Sequence, residues 1–465
     1  MATPEPKLAP VAAQSANHGL PPGPTTWPLL QMLRYSRRPY ETIDECLHEY
    51  GNVFTARAPG QPPIVTFADP DALREIYAAD ADEMHGGEGV APILGPILGT
   101  NSLLLLDGAR HRRERRLLMP PFHGERMHLY GQIMREITDR AIDRWPLGRP
   151  FRIHHEMQSI TLDVILRAVF GLEEELLVAA VRDTLLGTLR LFEGVTAAFL
   201  AVPAFQYELG GLTPWGRFVR HRRRLDALLR AEFARRRSEG TSGRTDVLSL
   251  LLGARDESGD PMTDEELVDE MFTVLGAGHE TTASALSWAL YHVLPRPDVL
   301  ERLHAERRRV AGDGPVDVGD LPKLEYLDAV IKESTRVTPV ATQTIRRLKI
   351  PMRIGGWDLP AGVNVSAAIS ATHHRSDLWP DPAHFDPDRF VGTRPAPYTF
   401  LPFGGGERRC LGAAFAAYEM KVVLARILSR TALRLAPGYR MRPVLRAITV
   451  APSEGVPVVL DRRIG

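Results

Sequence analysis

The sequence predicts a mainly α-helical protein with small β-sheets, which is an α+β fold. Residues 125–237 have the composition of successive helices that prolines and glycines separate. Residues 263–294 form the longest helix candidate, because apolar residues recur at helical spacing after a capping box at 263–266. The strand-like segments are short and come in pairs, such as 53–58 and 64–67, so they can form only small sheets.

The composition is that of an ordinary globular chain and excludes several classes of protein. The 465 residues include 57 basic and 57 acidic side chains, and this balance gives no sign of a nucleic-acid or membrane-surface partner. Two cysteines, Cys46 and Cys410, are too few for a disulfide framework or for a multi-cysteine zinc or iron–sulfur site. Low cysteine content fits a reducing compartment, so we expect a cytoplasmic protein.

The chain is predicted to divide into a tail and a folded part. Residues 1–24 are rich in alanine and proline, and we expect them to be a disordered tail before the folded residues 25–465. The sequence contains no apolar stretch typical of a signal peptide or a membrane-spanning helix. We therefore expect no membrane anchor.

The amino-terminal elements follow from apolar periodicity and from the turn residues that end it. The predicted elements are a helix over 40–50, a strand pair over 53–58 and 64–67, and a helix over 69–77. Residues 81–102 are predicted to be a long Gly-rich loop, a kind of segment that is often functional. A strongly basic helix then begins near Asp107, and helical spacing puts His111 and Arg115 on one of its faces.

The carboxy-terminal third alternates helices with short strands. The predicted elements are a helix over 323–337, a strand over 345–348, a hairpin turn at 354–357, a Pro-rich meander over 379–402, a helix over 413–430 and a closing hairpin over 448–460. Two pairs of adjacent histidines, at 154–155 and 373–374, lack metal-ligand spacing to other candidates. We interpret these histidines as core or surface residues.

One cysteine lies in a setting that suits a metal ligand. Cys410 follows the glycines 404–406 and comes just before the helix predicted over 413–430. Backbone N–H groups and the positive end of the helix dipole at this position favour a thiolate. A thiolate binds soft and borderline metals, including haem iron, and the glycines let the chain pass close under a flat cofactor. The alternative is a buried, inert cysteine beside a Gly-rich turn.

The longest predicted helix has a weak point in its middle. Gly276 and Gly278 each cost about 1 kcal/mol relative to alanine, and Glu280, Thr281 and Thr282 follow them directly. Either another helix packs closely against the glycines, or a local kink opens a groove beside them. The glycines are not a dinucleotide-binding fingerprint, because no strand precedes them and the third glycine is missing.

These segments together resemble the cytochrome P-450 superfamily of haem-thiolate monooxygenases, in its soluble bacterial type. The cysteine loop has the five fixed residues of the family pattern, which are Phe403, Gly406, Arg408, Cys410 and Gly412. The long helix matches the oxygen-activation pattern of the family at Ala277, Gly278, Glu280, Thr281 and Thr282. The resemblance covers residues 25–465 and implies a single catalytic domain with the cytochrome P-450 fold. In that fold, haem b lies between the oxygen-binding helix and the helix after the cysteine loop.

The resemblance also implies which residues hold the cofactor. Cys410 is expected to be the axial ligand of the iron, with Phe403 packed against the same face of the haem. Ala277 and Gly278 are expected to line the groove where O2 binds. The other residues expected to bind the cofactor are His111, Arg115, Arg346, Arg408 and Gly412.

Cations are expected to hold the haem propionates by charge-assisted hydrogen bonds. The resemblance assigns this role to His111 and Arg115 of the basic helix and to Arg346, with Arg347 as a rival at the neighbouring position. The other arginines of the basic helix are expected to point outward, as a solvated face or as a docking surface for an acidic electron donor: Arg112, Arg113 and Arg116.

A buried ion-pair network is the last structural feature that the resemblance implies. Glu333 and Arg336 have the i, i+3 spacing of a common surface ion pair. In the family, the pair is completed by a later arginine, here Arg389, and the network fixes the segment that leads into the cysteine loop.

The implied reaction is the insertion of one oxygen atom of O2 into a hydrophobic organic substrate, with Glu280 and Thr281 as the residues that manage protons. Electrons are expected from a separate ferredoxin or flavodoxin-type protein, because only 55 residues follow Cys410. The expected pocket wall is largely apolar and comprises 81–102, 195–205, 274–278, 340–344 and the turn at 453. The substrate class stays open among fatty acids, terpenoids, steroids and polyketides.

Three other functions are compatible with a haem-thiolate protein. A peroxygenase uses peroxide directly, and an isomerase or dehydratase has no need of an acid–alcohol pair such as Glu280-Thr281. A non-catalytic haem sensor would need no substrate loops or lid.

Overall fold

Helices make up most of the structure and enclose its main core, as the sequence predicts. The computed structural model describes residues 19–122, 126–191, 206–208, 211–241, 243–312, 314–446 and 448–464. The α-helices are α1 Pro28–Arg37, α2 Pro39–Tyr50, α3 Pro70–Ala78, α4 Gly86–Leu98, α5 Gly108–Leu118, α6 Arg126–Arg144, α7 Ile153–Val164, α8 Glu175–Leu191, α9 Pro214–Glu239, α10 Val247–Gly253, α11 Asp264–Val293, α12 Pro297–Ala311, α13 Glu325–Val337, α14 Ile369–His374 and α15 Ala413–Arg430. A π-helical turn, Ile165–Val169, extends α7.

The strands form small sheets, as expected from their lengths. They are β1 Val53–Ala56, β2 Ile64–Phe67, β3 Met84–His85, β4 Pro150–Arg152, β5 Thr344–Leu348, β6 Met352–Ile354, β7 Trp357–Leu359, β8 Asn364–Ala367, β9 Thr431–Leu435, β10 Pro443–Arg446, β11 Thr449–Pro452 and β12 Pro457–Arg463. The largest sheet has the order β1-β2-β8-β5-β3, and its β2–β8 pair is parallel. The others are β4-β12-β9, β6-β7 and β10-β11.

The long helix α11 is built as the sequence predicts. Its capping box is present, because Glu266 N donates to Thr263 Oγ1 at 3.2 Å and Thr263 N donates to the Glu266 carboxylate at 2.8 Å. Most of its residues are buried, and α11 packs against α7 and α15 in the main hydrophobic core. Burial on nearly every side explains why α11 has apolar residues around its whole circumference.

The segment 81–102 is not the long loop that we predicted, because it contains α4. The first backbone N–H groups of this helix, those of Gly87 and Glu88, each donate at 2.9 Å to the carboxylate of Asp107. A cap supplied from twenty residues further along the chain leaves no local signal in the sequence. Two prolines inside α4, Pro92 and Pro96, also make a helix difficult to predict from the sequence.

The predicted closing hairpin over 448–460 is also wrong. Strand β11 pairs with β10, whereas β12 pairs with β9 and β4 in another sheet. The turn Ser453–Gly455 that joins the two sheets includes Glu454 at φ 56°, and Val456 after it has φ 51°. These left-handed residues redirect the chain, so that β12 does not fold back on β11.

The amino-terminal boundary lies earlier than predicted. Residues 20–24 pack along β1, where Thr55 N donates to Pro22 O at 3.0 Å and Thr55 Oγ1 donates to Pro21 O at 2.6 Å. A Cβ at Gly23 would lie 2.1 Å from Thr55 O, so the approach is close. The prediction of disorder is therefore wrong for residues 20–24, and residues 1–18 lie outside the described part of the chain.

The predicted ion-pair network is confirmed in the structure. Arg336 and Glu333 are both fully buried, with Nε and Oε2 2.7 Å apart, and Arg389 Nε lies 3.5 Å from Glu333 Oε1. Arg336 also donates to the carbonyl groups of His373 and Pro382. The network therefore ties α13 to the meander that leads into the cysteine loop.

Candidate functional site

The cysteine loop lies between the meander and α15, and its glycines are needed for packing. Gly404 and Gly406 have φ values of 67° and 66°, which favour glycine. A Cβ at Gly406 would lie 2.2 Å from the carbonyl oxygen of Tyr77, at the end of α3. The loop is closed by a hydrogen bond of 2.9 Å from Cys410 N to the carbonyl oxygen of Phe403. Close contact with α3 therefore requires glycine at 406, and the backbone angle alone favours glycine at 404.

The thiol of Cys410 stands just before α15, and its side chain is exposed. The surrounding protein nevertheless desolvates the sulfur, and this burial raises the pKa of the thiol. A hydrogen bond from the backbone of Gly412 and the charges of Arg409 and Arg115 act in the opposite direction and favour the thiolate. The backbone at the helix terminus thus favours the thiolate, as the sequence predicts, whereas burial opposes it.

Four side chains predicted to bind the cofactor meet beside this loop. They come from α5, β5 and the loop itself, and they are His111, Arg115, Arg346 and Arg408. His111 and Arg346 are buried, with 3% and 5% of their surface exposed. Arg115 donates to the carbonyl oxygen of Arg409 at 2.8 Å, which attaches α5 to the cysteine loop.

The structure separates the two rival arginines of β5. Arg346 donates to Ile76 O at 2.9 Å and to Gly405 O at 3.3 Å, so its guanidinium lies against the cysteine loop. Arg347 Nε donates to Asn364 Oδ1 at 2.7 Å instead. Because successive strand residues point to opposite faces, only Arg346 joins the cationic cluster.

The cluster fits an anionic cofactor. Burial together with the charges of Arg408 and Arg115 lowers the pKa of His111 to about 3. Burial also lowers the pKa of the Arg115, Arg346 and Arg408 guanidinium groups. The positive charge of neighbouring arginines lowers the pKa of each group further. The site thus concentrates positive charge away from water, and two carboxylates such as the propionates of haem b would compensate for it.

The remaining arginines of α5 do not all point outward as predicted. Arg113 is half-buried, and its Nε donates to Asp256 at 2.6 Å, with Glu114 and Glu266 also beside it. Arg116 pairs with the exposed carboxylate of Glu257. Arg112 is exposed, as expected of a residue in a docking surface.

The middle of α11 bears on the two alternatives for its glycines. The helix is continuous from Asp264 to Val293, which favours close packing over a kink. A Cβ at Gly278 would lie 3.0 Å from Ile165 Cδ1, which shows close packing of the π-helical turn against this glycine. Among the described residues, no atom outside the adjacent residues and helix backbone would lie within 4 Å of a Cβ at Gly276, and Ala277 is exposed. Thr281 Oγ1 donates to the carbonyl oxygen of Ala277 at 2.6 Å.

Glu280 points away from this open face and into a polar network. Its carboxylate accepts a hydrogen bond of 2.7 Å from Gln158 Nε2 and lies 3.4 Å from His154 Nε2 and 3.5 Å from Arg446 Nη1. Burial opposes ionisation of Glu280, but the hydrogen bond and charge of His154 outweigh it, with help from His279 and Gln158, and lower the pKa to about 2.

Sequence reasoning missed the partners of Glu280. His154 is a core residue, one of the two interpretations that we gave it, but its Nε2 also lies 3.4 Å from the Glu280 carboxylate and its Nδ1 is hydrogen-bonded with Ser287 Oγ at 3.1 Å. The available signal was polar spacing, since His154, Gln158 and Thr161 lie at i, i+4 and i+7 on α7. Thr161 in turn contacts His279 Nδ1 at 3.0 Å.

This helical fold, with a cysteine before a helix and a cationic cluster beside it, defines a haem-thiolate protein. The chain belongs to the cytochrome P450 family, whose sequence pattern matches residues 18–456. It is therefore a cytochrome P450 monooxygenase that carries haem b with cysteine thiolate ligation. Within the described residues, no helix has both the length and the apolar character needed to cross a membrane.

Individual relatives agree with this assignment. A protein named cytochrome P450 135B1 from Mycobacterium bovis is 39% identical over 443 residues, which are 95% of this chain and 91% of that protein. Cytochrome P450 135A1 from Mycobacterium tuberculosis is 37% identical, over 97% of this chain and 98% of that protein. The structure of retinoic acid-bound cyanobacterial CYP120A1 matches with a TM-score of 0.82 and 27% identity, over 95% of this chain and 99% of that chain.

Proposed function

We propose that this monooxygenase hydroxylates or epoxidises a hydrophobic small molecule, with electrons from a separate ferredoxin or flavodoxin-type protein. The observation that carries the proposal is the acid–alcohol pair Glu280-Thr281 on α11, with the acid in a buried network and the alcohol on the open face. The chain from residue 20 onward acts as one catalytic domain, and two free cysteines support a cytoplasmic setting.

The chain binds its cofactor through the cysteine loop and the cationic cluster. Haem b with Cys410 as its ligand supplies the chemistry of O2 activation and oxygen transfer. Gly412 stabilises the ligating sulfur by its backbone hydrogen bond, and half-buried Phe403 excludes water from it. The propionates are neutralised by the charge-assisted donors of the cluster, which are His111, Arg115, Arg346 and Arg408.

Proton delivery runs from the buried network to the open face of α11. Glu280 is an anion, so it must first accept a proton at Oε1. Nε2 of His154, 3.4 Å from this oxygen, accepts a hydrogen bond from Arg446, so it can deliver a proton only after solvent has protonated it in place of that bond. The partly exposed guanidinium of Arg446 lies 3.2 Å from His154 Nε2 and marks the side from which solvent restores the proton. Thr281 exchanges its bond to Ala277 for a water and passes the proton on, beside Ala277 and Gly278 where O2 binds.

Apolar side chains in the segments expected to line the pocket support a hydrophobic substrate. Half-buried Val90 and Ile97 of α4, Val274 of α11 and Val340 all border the main core. They fall within segments that we expected to line the pocket, although 195–205 lies outside the described residues. CYP120A1 has retinoic acid bound, which is a ligand of the same broad character.

A reconstituted turnover assay tests the proposal. Hydrophobic compounds are screened for a spin-state shift of the haem, and binders are incubated with NAD(P)H, a ferredoxin reductase, a ferredoxin and labelled O2. We expect one labelled oxygen atom in the product only when every electron-transfer component is present. Labelled product from peroxide alone would indicate a peroxygenase. A rearranged product without label would indicate an isomerase, and haem without any spin shift or turnover would indicate a sensor.

A further inference from the structure

Asp107 connects three parts of the structure through one carboxylate. It occupies the position before the first turn of α5, but its side chain does not cap that helix. Instead it accepts hydrogen bonds of 2.9 Å from Gly87 N and Glu88 N at the start of α4. The same carboxylate forms an ion pair with Arg408 of the cysteine loop, and both side chains are largely shielded from solvent.

The ion pair restricts Arg408 in a specific way. Among the described residues, Arg408 forms two hydrogen bonds, and both use Nη2, to Asp107 Oδ1 and to the carbonyl oxygen of Leu106. A guanidinium is a planar fork of five donors, so fixing one nitrogen orients the rest of the group. The other donors of Arg408 therefore remain available for a carboxylate of the cofactor.

The surrounding glycines show that this arrangement leaves little space. A Cβ at Gly86 would lie 2.5 Å from Arg408 Cδ, and a Cβ at Gly87 would lie 2.7 Å from Asp107 Oδ2. The first residues of α4 thus cover one side of the ion pair between Asp107 and Arg408. Any larger residue at Gly86 must displace the side chain of Arg408.

We propose that Asp107 is a positioning residue that fixes the guanidinium of Arg408 and thereby sets how tightly the enzyme retains haem. The inference rests on the proposed contact between Arg408 and haem. Residues that orient the direct ligands of a cofactor change affinity by about 10- to 100-fold when they are replaced. Asp107 acts through Arg408, so its effect must disappear when Arg408 cannot form the ion pair.

A double-mutant cycle on the holoenzyme tests this dependence. The rate of haem transfer to apomyoglobin is measured for the wild type, Asp107→Asn, Arg408→Gln and the double variant. We expect each single change to raise the rate about 10-fold, and the double variant to equal Arg408→Gln. The control is Glu88→Gln, which changes a neighbouring carboxylate that pairs with Lys349, and we expect no change. Multiplied effects in the double variant would overturn the proposal, because Asp107 would then act through α4 alone.

The haem reduction potential gives a second readout. Asp107→Asn removes a negative charge from the cluster and should raise the potential, whereas Arg408→Gln removes a positive charge and should lower it. General loosening of the site would shift the potential of both variants in the same direction and would contradict the proposal.

If Asp107→Asn gives no holoenzyme, a second variant tests the proposal. Gly86→Ala displaces Arg408 with Asp107 intact, and it should raise the rate of haem transfer several-fold. No rise in that variant would also overturn the proposal.

The two single variants separate this inference from the function on which it rests. If Arg408→Gln leaves haem transfer unchanged, the proposed contact between Arg408 and haem is wrong, and the inference fails with it. If Arg408→Gln raises the rate and Asp107→Asn does not, only the role of Asp107 is wrong.

Discussion

His154 Nε2 lies 3.4 Å from Glu280 Oε1, and this contact joins α7 to the centre of α11. Arg446 of β10 lies within 3.5 Å of the same carboxylate oxygen, so the acid is held by elements from three parts of the chain. Burial alone would favour the neutral acid, yet His154, with His279 and Gln158, lowers the pKa of Glu280 and keeps it ionised. The proposed proton path therefore depends on His154 as much as on the acid itself.

Replacing His154 should slow proton delivery without affecting substrate binding. Glutamine in the His154→Gln variant can still donate a hydrogen bond but cannot carry a proton, so we expect product formation to fall roughly 10- to 100-fold. The solvent isotope effect on turnover should rise, while the substrate-induced spin shift keeps its midpoint. His155→Gln, at the exposed neighbouring position, is the matched control. Equal effects of the two variants would remove His154 from the path.

Replacing Thr281 should uncouple electron use from product formation. The Thr281 hydroxyl is the alcohol on the open face of α11, and Thr281→Ala leaves no side-chain oxygen there to hold a water. We expect several-fold more peroxide per product molecule at a similar rate of NAD(P)H consumption. The comparison is Thr282→Val, at a buried position one residue further on. Unchanged coupling in Thr281→Ala would show that the hydroxyl has no part in proton delivery.

Replacing Cys410 should abolish the spectrum of thiolate-ligated haem. A serine hydroxyl does not provide the electron donation of a thiolate, so the reduced, CO-bound form of Cys410→Ser should lose the strongly red-shifted Soret band. Cys46→Ala is the control, because Cys46 is buried away from the loop and burial raises its pKa to about 11. A red-shifted band that survives in Cys410→Ser would identify another ligand.

Breaking the buried ion pair of α13 should destabilise the fold. Glu333→Gln leaves the fully buried Arg336 without its charge partner, and such changes cost about 3–5 kcal/mol. Urea denaturation measures the loss in free energy of unfolding. The exposed pair of Lys332 and Asp328 on the same helix is the control, and Lys332→Gln should cost about 0.5 kcal/mol or less. Similar losses in both variants would contradict the structural role of the network.

Acid should destabilise the protein partly through His292. Burial, with the charges of Arg296 and Arg336, lowers the pKa of this histidine from 6.5 to about 3. In the unfolded chain His292 therefore binds a proton below about pH 6.5, whereas in the folded protein it stays neutral down to about pH 3. The free energy of unfolding falls as the pH drops through this range. Between pH 6.5 and 5.5, His292→Gln should lose about 1 kcal/mol less free energy of unfolding than the wild type. Equal losses would mean that His292 titrates normally in the fold.

The sequence was sufficient wherever a feature depends on neighbours along the chain. The capping box at Thr263, the long periodicity of α11, and the helix that starts at Ala413 after the cysteine loop are all present. The pattern around Cys410 also identified the family, which the comparisons confirm. Caps, periodicity and short motifs act through local backbone geometry, so one stretch of sequence contains all of their determinants.

Tertiary structure decided the features whose partners are distant in sequence. Helix α4 forms with a cap from Asp107, Arg346 rather than Arg347 lies at the cluster, and β12 pairs with β9 instead of β11. The polar spacing of α7 indicated a shared face, but the role of His154 depends on Glu280, which lies opposite to it only in the folded chain. Burial, charge neighbours and strand partners exist only after distant segments have packed together, and no local pattern determines which segments meet.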